Sequence, residues 1–184
     1  VSKHFNLEFD LQRACDNAHI PADSMISTWL HTTLSSVAEH LLHSTDIMLS
    51  LRIVDISEMQ ALNHQFRQKT KPTNVLSFPN TDYAIEPQLD RSIPHSIPWD
   101  NEYYLGDIIL CAPIIEQEAK DQNKSLEHHW AHMIVHGVLH LLGYDHVEEK
   151  QAEEMESLEI SILQKIGFSN PYALDNLDNN EEIQ

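Results

Sequence analysis

The stretch His136-Gly137-Val138-Leu139-His140-Leu141-Leu142-Gly143-Tyr144-Asp145-His146 reads as the end of a helix followed by a sharp return of the chain. Upstream of it, Leu126, Trp130, Met133, Ile134 and Leu141 continue the apolar pattern. Ser125 offers the side-chain oxygen that caps a helix N-terminus. The helix is therefore predicted from Ser125 to about Leu142, and its apolar content makes it largely core. Gly143 is the residue type that ends a helix in a left-handed conformation. Side chains projecting from such a buried helix are held on a rigid scaffold.

His136 and His140 are spaced i, i+4, so they share one helix face about one turn apart. Once the chain turns at Gly143, His146 can return to the same point. Three neutral imidazoles with one position left open is the composition of a catalytic zinc site, whereas a structural site is closed by a fourth protein ligand. With 13 histidines in the chain, a lone pair at this spacing would more often be ordinary core or surface. The third histidine beyond a helix-ending glycine is what marks a site. An alternative row, His128, His132, His136 and His140, fits less well. Three ligands along a straight helix span about 12 Å, too far to converge at bond lengths of about 2.0–2.1 Å. Zinc proteases place a Glu beside the first histidine as general base. This chain has Gly137 there, and glycine neither accepts a proton nor orients water. The pattern points to a metal hydrolase other than a standard zinc protease.

The length of 184 residues suits one domain with a proper core, and 41% hydrophobic content is ordinary for a soluble protein. No apolar run reaches the length of a membrane helix, and the first residues lack a signal pattern. Cys15 and Cys111 are isolated in sequence and are expected to be small apolar residues in a reducing, cytoplasmic setting. The net charge of −18 is unevenly spread: residues 1–100 carry 7 basic and 12 acidic side chains, and residues 101–184 carry 4 and 17. The acid gathers after the histidine run (Glu148, Glu149, Glu153, Glu154, Glu156, Glu159) and in the tail (Asp175, Asp178, Glu181, Glu182). Arg67, Lys69 and Lys71 form the nearest thing to a basic cluster. Binding to a nucleic acid needs a local positive surface, not a positive total.

Other segments read more simply. Residues 4–11 and 47–54 have strand patterns, and a helix is expected from Pro21 and Asp23 to about His43. Ser57 with Gln60 is read as a capping box that starts a helix ending near Phe66, with Arg67 at its end. Asn74 to Phe78 and Tyr103 to Leu110 are two more strands, and Pro113 starts a helix to about Gln122. Residues 79–102 form a long loop with an edge strand near Ile93–Ile97, and a last helix runs from about Glu148 to Ile166, ended by Gly167. The interleaving predicts an α+β fold, with a small mixed sheet of about four strands packed with about five helices. Residues 1–168 are expected to form the domain, and 169–184 an acidic, frayed tail.

The histidine run resembles the signature of the YbeY-type endoribonucleases, the rRNA maturation factors, at each fixed position. Leu62-Asn63-His64-Gln65-Phe66-Arg67, then Pro72-Thr73-Asn74-Val75-Leu76-Ser77-Phe78-Pro79, and Leu105-Gly106-Asp107-Ile108 resemble further segments of that family in the same order. The resemblance implies a zinc-dependent, single-strand-specific endoribonuclease. It would act in rRNA processing, including maturation of the 16S rRNA 3′ end, and in ribosome quality control. It implies one Zn²⁺ on His136, His140 and His146, and a functionally important Arg67. Where many members have a Gly after that arginine, this chain has Gln68.

Arg67 is thus expected to hold a phosphate, with Lys69 and Lys71 as substrate-binding neighbours, while Asp145 orients an imidazole or serves the turn. The partners implied are single-stranded RNA or rRNA and the small ribosomal subunit or its assembly factors, with no membrane or DNA. The acidic bulk weakens non-specific RNA binding and favours guidance by a ribosomal partner. Two other classes stay open: a zinc hydrolase of peptide or small-molecule bonds, and a non-catalytic assembly factor with structural zinc.

Overall fold

The computed structural model describes residues 5–37, 46–80, 102–145 and 148–173. In chain order these form β1 (Asn6–Arg13), α1 (Asp23–Val37), β2 (Asp46–Val54), α2 (Ile56–Arg67), β3 (Val75–Pro79), β4 (Glu102–Cys111), α3 (Ala112–Asp121), α4 (Leu126–Leu141) and α5 (Glu149–Ile166). The strands make one sheet in the order β1-β2-β4-β3. β1, β2 and β4 run parallel, and β3 pairs antiparallel with β4. The fold is α+β with a mixed sheet, as the sequence pattern indicates. The expected edge strand near Ile93–Ile97, the helix extension to His43 and residues 174–184 of the expected 169–184 tail lie outside the described residues.

Two clusters of apolar side chains lie on the two faces of the sheet. Ile47, Leu49, Leu51 and Ile53 of β2, with Leu105, Ile108 and Leu110 of β4, meet α1 and α4 in the larger one. Ile109 and Cys111 of β4 and Leu76 of β3 meet Met59 of α2 in the smaller one. A strand sends alternate side chains to opposite faces, so α4 and α2 lie on opposite sides of the sheet. α5 packs beside α1 and α4. Cys111 is buried, Cys15 is half-buried, and both are free thiols. No helix among the described residues is long and apolar enough to cross a membrane.

β4 breaks the two-residue rhythm once, and the break is built into its pairing. Met48 pairs with Tyr104 and Ser50 with Asp107, so Leu105 and Gly106 together oppose Leu49. Such a bulge resets the alternation. It allows Tyr103 and Leu105 on one side of it, and Ile108 and Leu110 on the other, to pack against the same core cluster. Gly106 adopts a φ of +132°, and a Cβ there would stand 2.1 Å from the Phe78 carbonyl oxygen. Only glycine fits that conformation and that approach. On the far face, Tyr104 donates from its hydroxyl to Asp107 Oδ1 at 2.7 Å, bridging the bulge.

The start of α2 differs from the capping box expected at Ser57 and Gln60. The cap is Asp55, whose carboxylate accepts from the Glu58 amide at 2.8 Å. Gln60 instead donates to the Thr70 carbonyl at 2.8 Å. Asp55 is the stronger cap because its side chain is already ionised and meets the positive end of the helix. At the other end Gln68 adopts a left-handed φ of 56°, the conformation that glycine occupies without strain.

Two substitutions test this framework. A Cβ on Gly137 would meet Ile108 Cγ2 at 2.9 Å, and the β-branched Ile108 has little rotamer freedom to yield. Overpacking costs about 1–3 kcal/mol, against about 1 kcal/mol regained from alanine's helix propensity. Gly137→Ala is expected to lower stability by about 1 kcal/mol in denaturant unfolding. Gln68→Gly removes a left-handed non-glycine residue costing about 1–2 kcal/mol and is expected to raise stability by about 1 kcal/mol in the same assay.

Candidate metal centre

α4 starts from Ser125, whose hydroxyl accepts from the His128 amide at 3.2 Å. It ends in a paired closure: Gly143 N–H donates to His140 O at 3.1 Å and Tyr144 N–H to Leu139 O at 3.0 Å. Gly143 has a φ of 85°, so the left-handed residue expected from the sequence is present and ends the helix there. From His128 to Leu142 every residue is buried except His136 and His140. The two histidines are the window of that otherwise enclosed stretch.

Their ring atoms converge. His136 Nε2 and His140 Nε2 stand 3.1 Å apart, with the ring planes at 76°. Two nitrogens bound tetrahedrally to zinc at about 2.05 Å would be about 3.3 Å apart. The pair therefore already has nearly the spacing that an ion requires, and the donor set suits Zn²⁺. Among the described residues no set of three His, Cys, Asp or Glu side chains converges to hold an ion. The expected third ligand, His146, lies outside them. Asp145, beside it, is exposed.

The opposite edge of His136 faces Glu159 of α5. Glu159 is fully buried, and its Oε1 lies 2.7 Å from His136 Nδ1. The Tyr172 hydroxyl donates to Glu159 Oε2. His132 Nε2 lies 3.5 Å from that same oxygen and 3.3 Å from the Tyr172 hydroxyl. Burial alone would raise the Glu159 carboxyl, but hydrogen bonds and charge from His132 and His136 outweigh it and hold it at about 2. The carboxylate is thus ionised and accepts only, so His136 Nδ1 carries the proton. Its Nε2 is left with a lone pair directed toward His140. Burial and then Glu159 push the Tyr172 hydroxyl above the usual tyrosine range, so it remains a donor.

The other histidines of α4 have structural partners. His129 Nε2 lies 2.8 Å from Glu118 Oε2 of α3, and Glu118 also accepts from Asn74 Nδ2 at 3.1 Å. His128 stacks on Phe168 with ring centroids 5.1 Å apart. His132 turns to Glu159 and Tyr172, which takes it out of the straight-row alternative. Ser77 of β3 donates to the Gly137 carbonyl at 3.2 Å. Asn74 and Ser77, both from the Thr73–Pro79 stretch, therefore help to fix α4, Asn74 acting through Glu118.

Arg67, Lys69 and Lys71 are exposed at the end of α2, across the sheet from α4. Asn63 Nδ2 holds the Lys71 carbonyl at 2.6 Å and so shapes their loop. No described contact joins Arg67 to the two histidines. β3 lies between them: Phe78 packs on Phe66 with centroids 4.9 Å apart, while neighbouring Ser77 reaches α4.

A family model described as Endoribonuclease YbeY matches residues 12–167. The chain belongs to that family. The matched span includes Arg67 and all three histidines. In fold, this YbeY-family chain is similar to the solution structure of TM1509 from Thermotoga maritima. The two agree with a TM-score of 0.52 at 22% identity, over 85% of this chain and 88% of that one. Membership supports an endoribonuclease role in rRNA processing.

Glu159 is the side chain that sequence reasoning misplaced. In sequence it belongs to the acidic run after the histidines, where a charge is ordinarily solvated. One signal was available: it lies four residues after Met155 and three before Ile162, both buried, so it sits on the apolar stripe of its helix. Tyr172 gave no comparable signal, because only tertiary folding brings it to Glu159.

The buried histidines also set a pH response. Burial, ahead of neighbouring cations, lowers His128 and His132. Both are harder to protonate in the folded chain than in the unfolded one, so unfolding takes up protons as the pH falls toward and below about 6.5. The metal-free protein should lose stability steadily as pH falls from 6.5, and further as Glu159 is titrated between its ordinary range and about 2. Urea unfolding between pH 7.5 and 5 measures the first phase; constant stability across that range contradicts it.

Proposed function

We propose that this chain is a zinc-dependent endoribonuclease that cuts single-stranded RNA, with one Zn²⁺ held by His136, His140 and His146. The reading is carried by one observation: His136 Nε2 and His140 Nε2 converge to 3.1 Å where the otherwise buried stretch 128–142 opens to solvent. Its place is in rRNA processing at the 16S 3′ end and in ribosome quality control, in the cytoplasm, with the small ribosomal subunit or its assembly factors as partner.

His136, His140 and His146 would hold a zinc ion that, when bound, would supply Lewis acidity toward water and the phosphodiester. The rest falls to the chain. His136 and His140 present their Nε2 atoms from a helix whose packing leaves little room to move. Gly137, facing Ile108, leaves no carboxylate beside the first ligand, which disfavours proteolysis. Arg67 binds a phosphate oxygen with a forked guanidinium, and Lys69 and Lys71 extend that positive surface along the strand. With a net charge of −18, the remainder of the surface repels RNA, so a ribosomal partner guides substrate choice.

The test is metal content by mass spectrometry with cleavage of a defined single-stranded RNA and its duplex, before and after chelation. Wild type should carry one zinc per chain and cut only the single strand. His140→Ala should lose the metal and at least about 100-fold in rate, and Arg67→Ala about 100-fold with zinc retained. Full cleavage by verified zinc-free protein would falsify the mechanism. Cleavage of protein without cleavage of RNA would favour a peptide hydrolase, and rescue of rRNA processing by His140→Ala in cells would favour a non-catalytic assembly factor.

A further inference from the structure

We propose that Glu159 is the positioning residue for His136 as a metal ligand, and that Tyr172, in the segment after α5, locks Glu159 in that task. The inference rests on reading His136 as a ligand, and it deepens the proposed function.

An imidazole binds a metal through a nitrogen that carries no proton. A neutral histidine has two tautomers, and the one with hydrogen on Nε2 closes the metal-facing atom of His136. Glu159 Oε1, 2.7 Å from Nδ1, keeps the proton on the far side of the ring. The same contact fixes the ring plane and increases the basicity of Nε2, as carboxylates behind metal-bound histidines do. The carboxylate is itself constrained. Its second oxygen accepts from the Tyr172 hydroxyl, with His132 Nε2 at 3.5 Å. Rotation of the carboxylate would forfeit a bond on each side, inside a site with no solvent exposure at Glu159.

The elements involved are distant in sequence. α4 contributes His132 and His136, one turn apart, α5 contributes Glu159, and the segment after Gly167 contributes Tyr172. That segment is anchored independently of the relay. Phe168 packs edge-on to Trp29 at 6.4 Å and stacks on His128 at 5.1 Å. Lys124 Nζ donates to the Pro171 carbonyl, and the Tyr172 amide donates to Asn170 Oδ1 at 2.8 Å. The tyrosine ring is partly exposed, yet its hydroxyl is directed inward at the carboxylate. A surface segment thereby reaches a metal ligand through one buried side chain.

The experiment uses the full chain with Glu159→Gln and Tyr172→Phe, and three readouts. Zinc affinity is measured by competition with a chromophoric chelator, the His136 tautomer by ¹⁵N NMR of the zinc-free protein, and folding by circular dichroism. Glu159→Gln should weaken zinc binding about 10–100-fold. Tyr172→Phe keeps the ring packing and should weaken it several-fold. In both variants the fraction of His136 protonated on Nδ1 should fall relative to wild type. A purely structural Glu159 would lower thermal stability while leaving the tautomer and the affinity of the folded protein unchanged, and that result overturns the proposal. Should Glu159→Gln fail to fold, Tyr172→Phe decides by the same criteria. Absence of zinc binding by wild type would defeat the proposed function instead, and the tautomer measurement, which needs no zinc, still decides the positioning role.

Discussion

α4 lies against β4 at a separation set by Gly137 and Ile108, where there is no room for even one added carbon. This close approach buries the helix between the sheet, α1 and α5. Among the described residues, that burial leaves His136 and His140 as the openings in the stretch 128–142. A helix standing farther off would admit water along its length, and its histidines would be ordinary surface residues. The sheet answers the constraint with the bulge that turns Ile108 toward α4, and β3 adds the Ser77 bond to the Gly137 carbonyl.

Burying so many polar groups on one helix demands partners for them, and the chain supplies carboxylates from two neighbours. Glu118 of α3 serves His129, and Glu159 of α5 serves His132 and His136. The satisfaction is incomplete: His128 Nε2, His129 Nδ1 and His132 Nδ1 are buried without hydrogen-bond partners. Each such atom carries a desolvation cost of about 1–3 kcal/mol. These atoms lie on the helix that carries His136 and His140, a pattern expected where function and stability pull in different directions.

Much of this was legible in the sequence because it is periodic or local. Alternation located the strands, Ser125 and Pro113 located helix starts, and Gly143 located the turn that follows the histidines. The spacing of His136 and His140 sufficed to place both on one helix face. What escaped were features set by the third dimension. Asp55 outcompeted Ser57 as the cap of α2, a choice between two plausible residues two positions apart. Glu159 looked like its acidic neighbours until the stripe of Met155 and Ile162 was seen to be buried. Arg67 is marked out only by resemblance, and nothing local in the sequence signals that its helix lies across the sheet from α4. The pairing of Tyr172 with Glu159 has no local signature at all.

The bulge at Leu105 and Gly106 makes β4 sensitive to where its length changes more than to its composition. Along most of the strand, one apolar residue can stand in for another at modest cost. Loss of a residue within either regular half is different, because side chains that shared a face become neighbours and point to opposite faces. Without Tyr104, either Tyr103 or Leu105 would turn away from the core, and without Ile109, either Ile108 or Leu110 would. At the bulge itself a residue can be lost with the alternation kept, since Tyr103, Leu105, Ile108 and Leu110 then stand two apart. In this fold, the count of residues on each side of the bulge, more than the choice among apolar side chains, keeps Ile108 beneath Gly137.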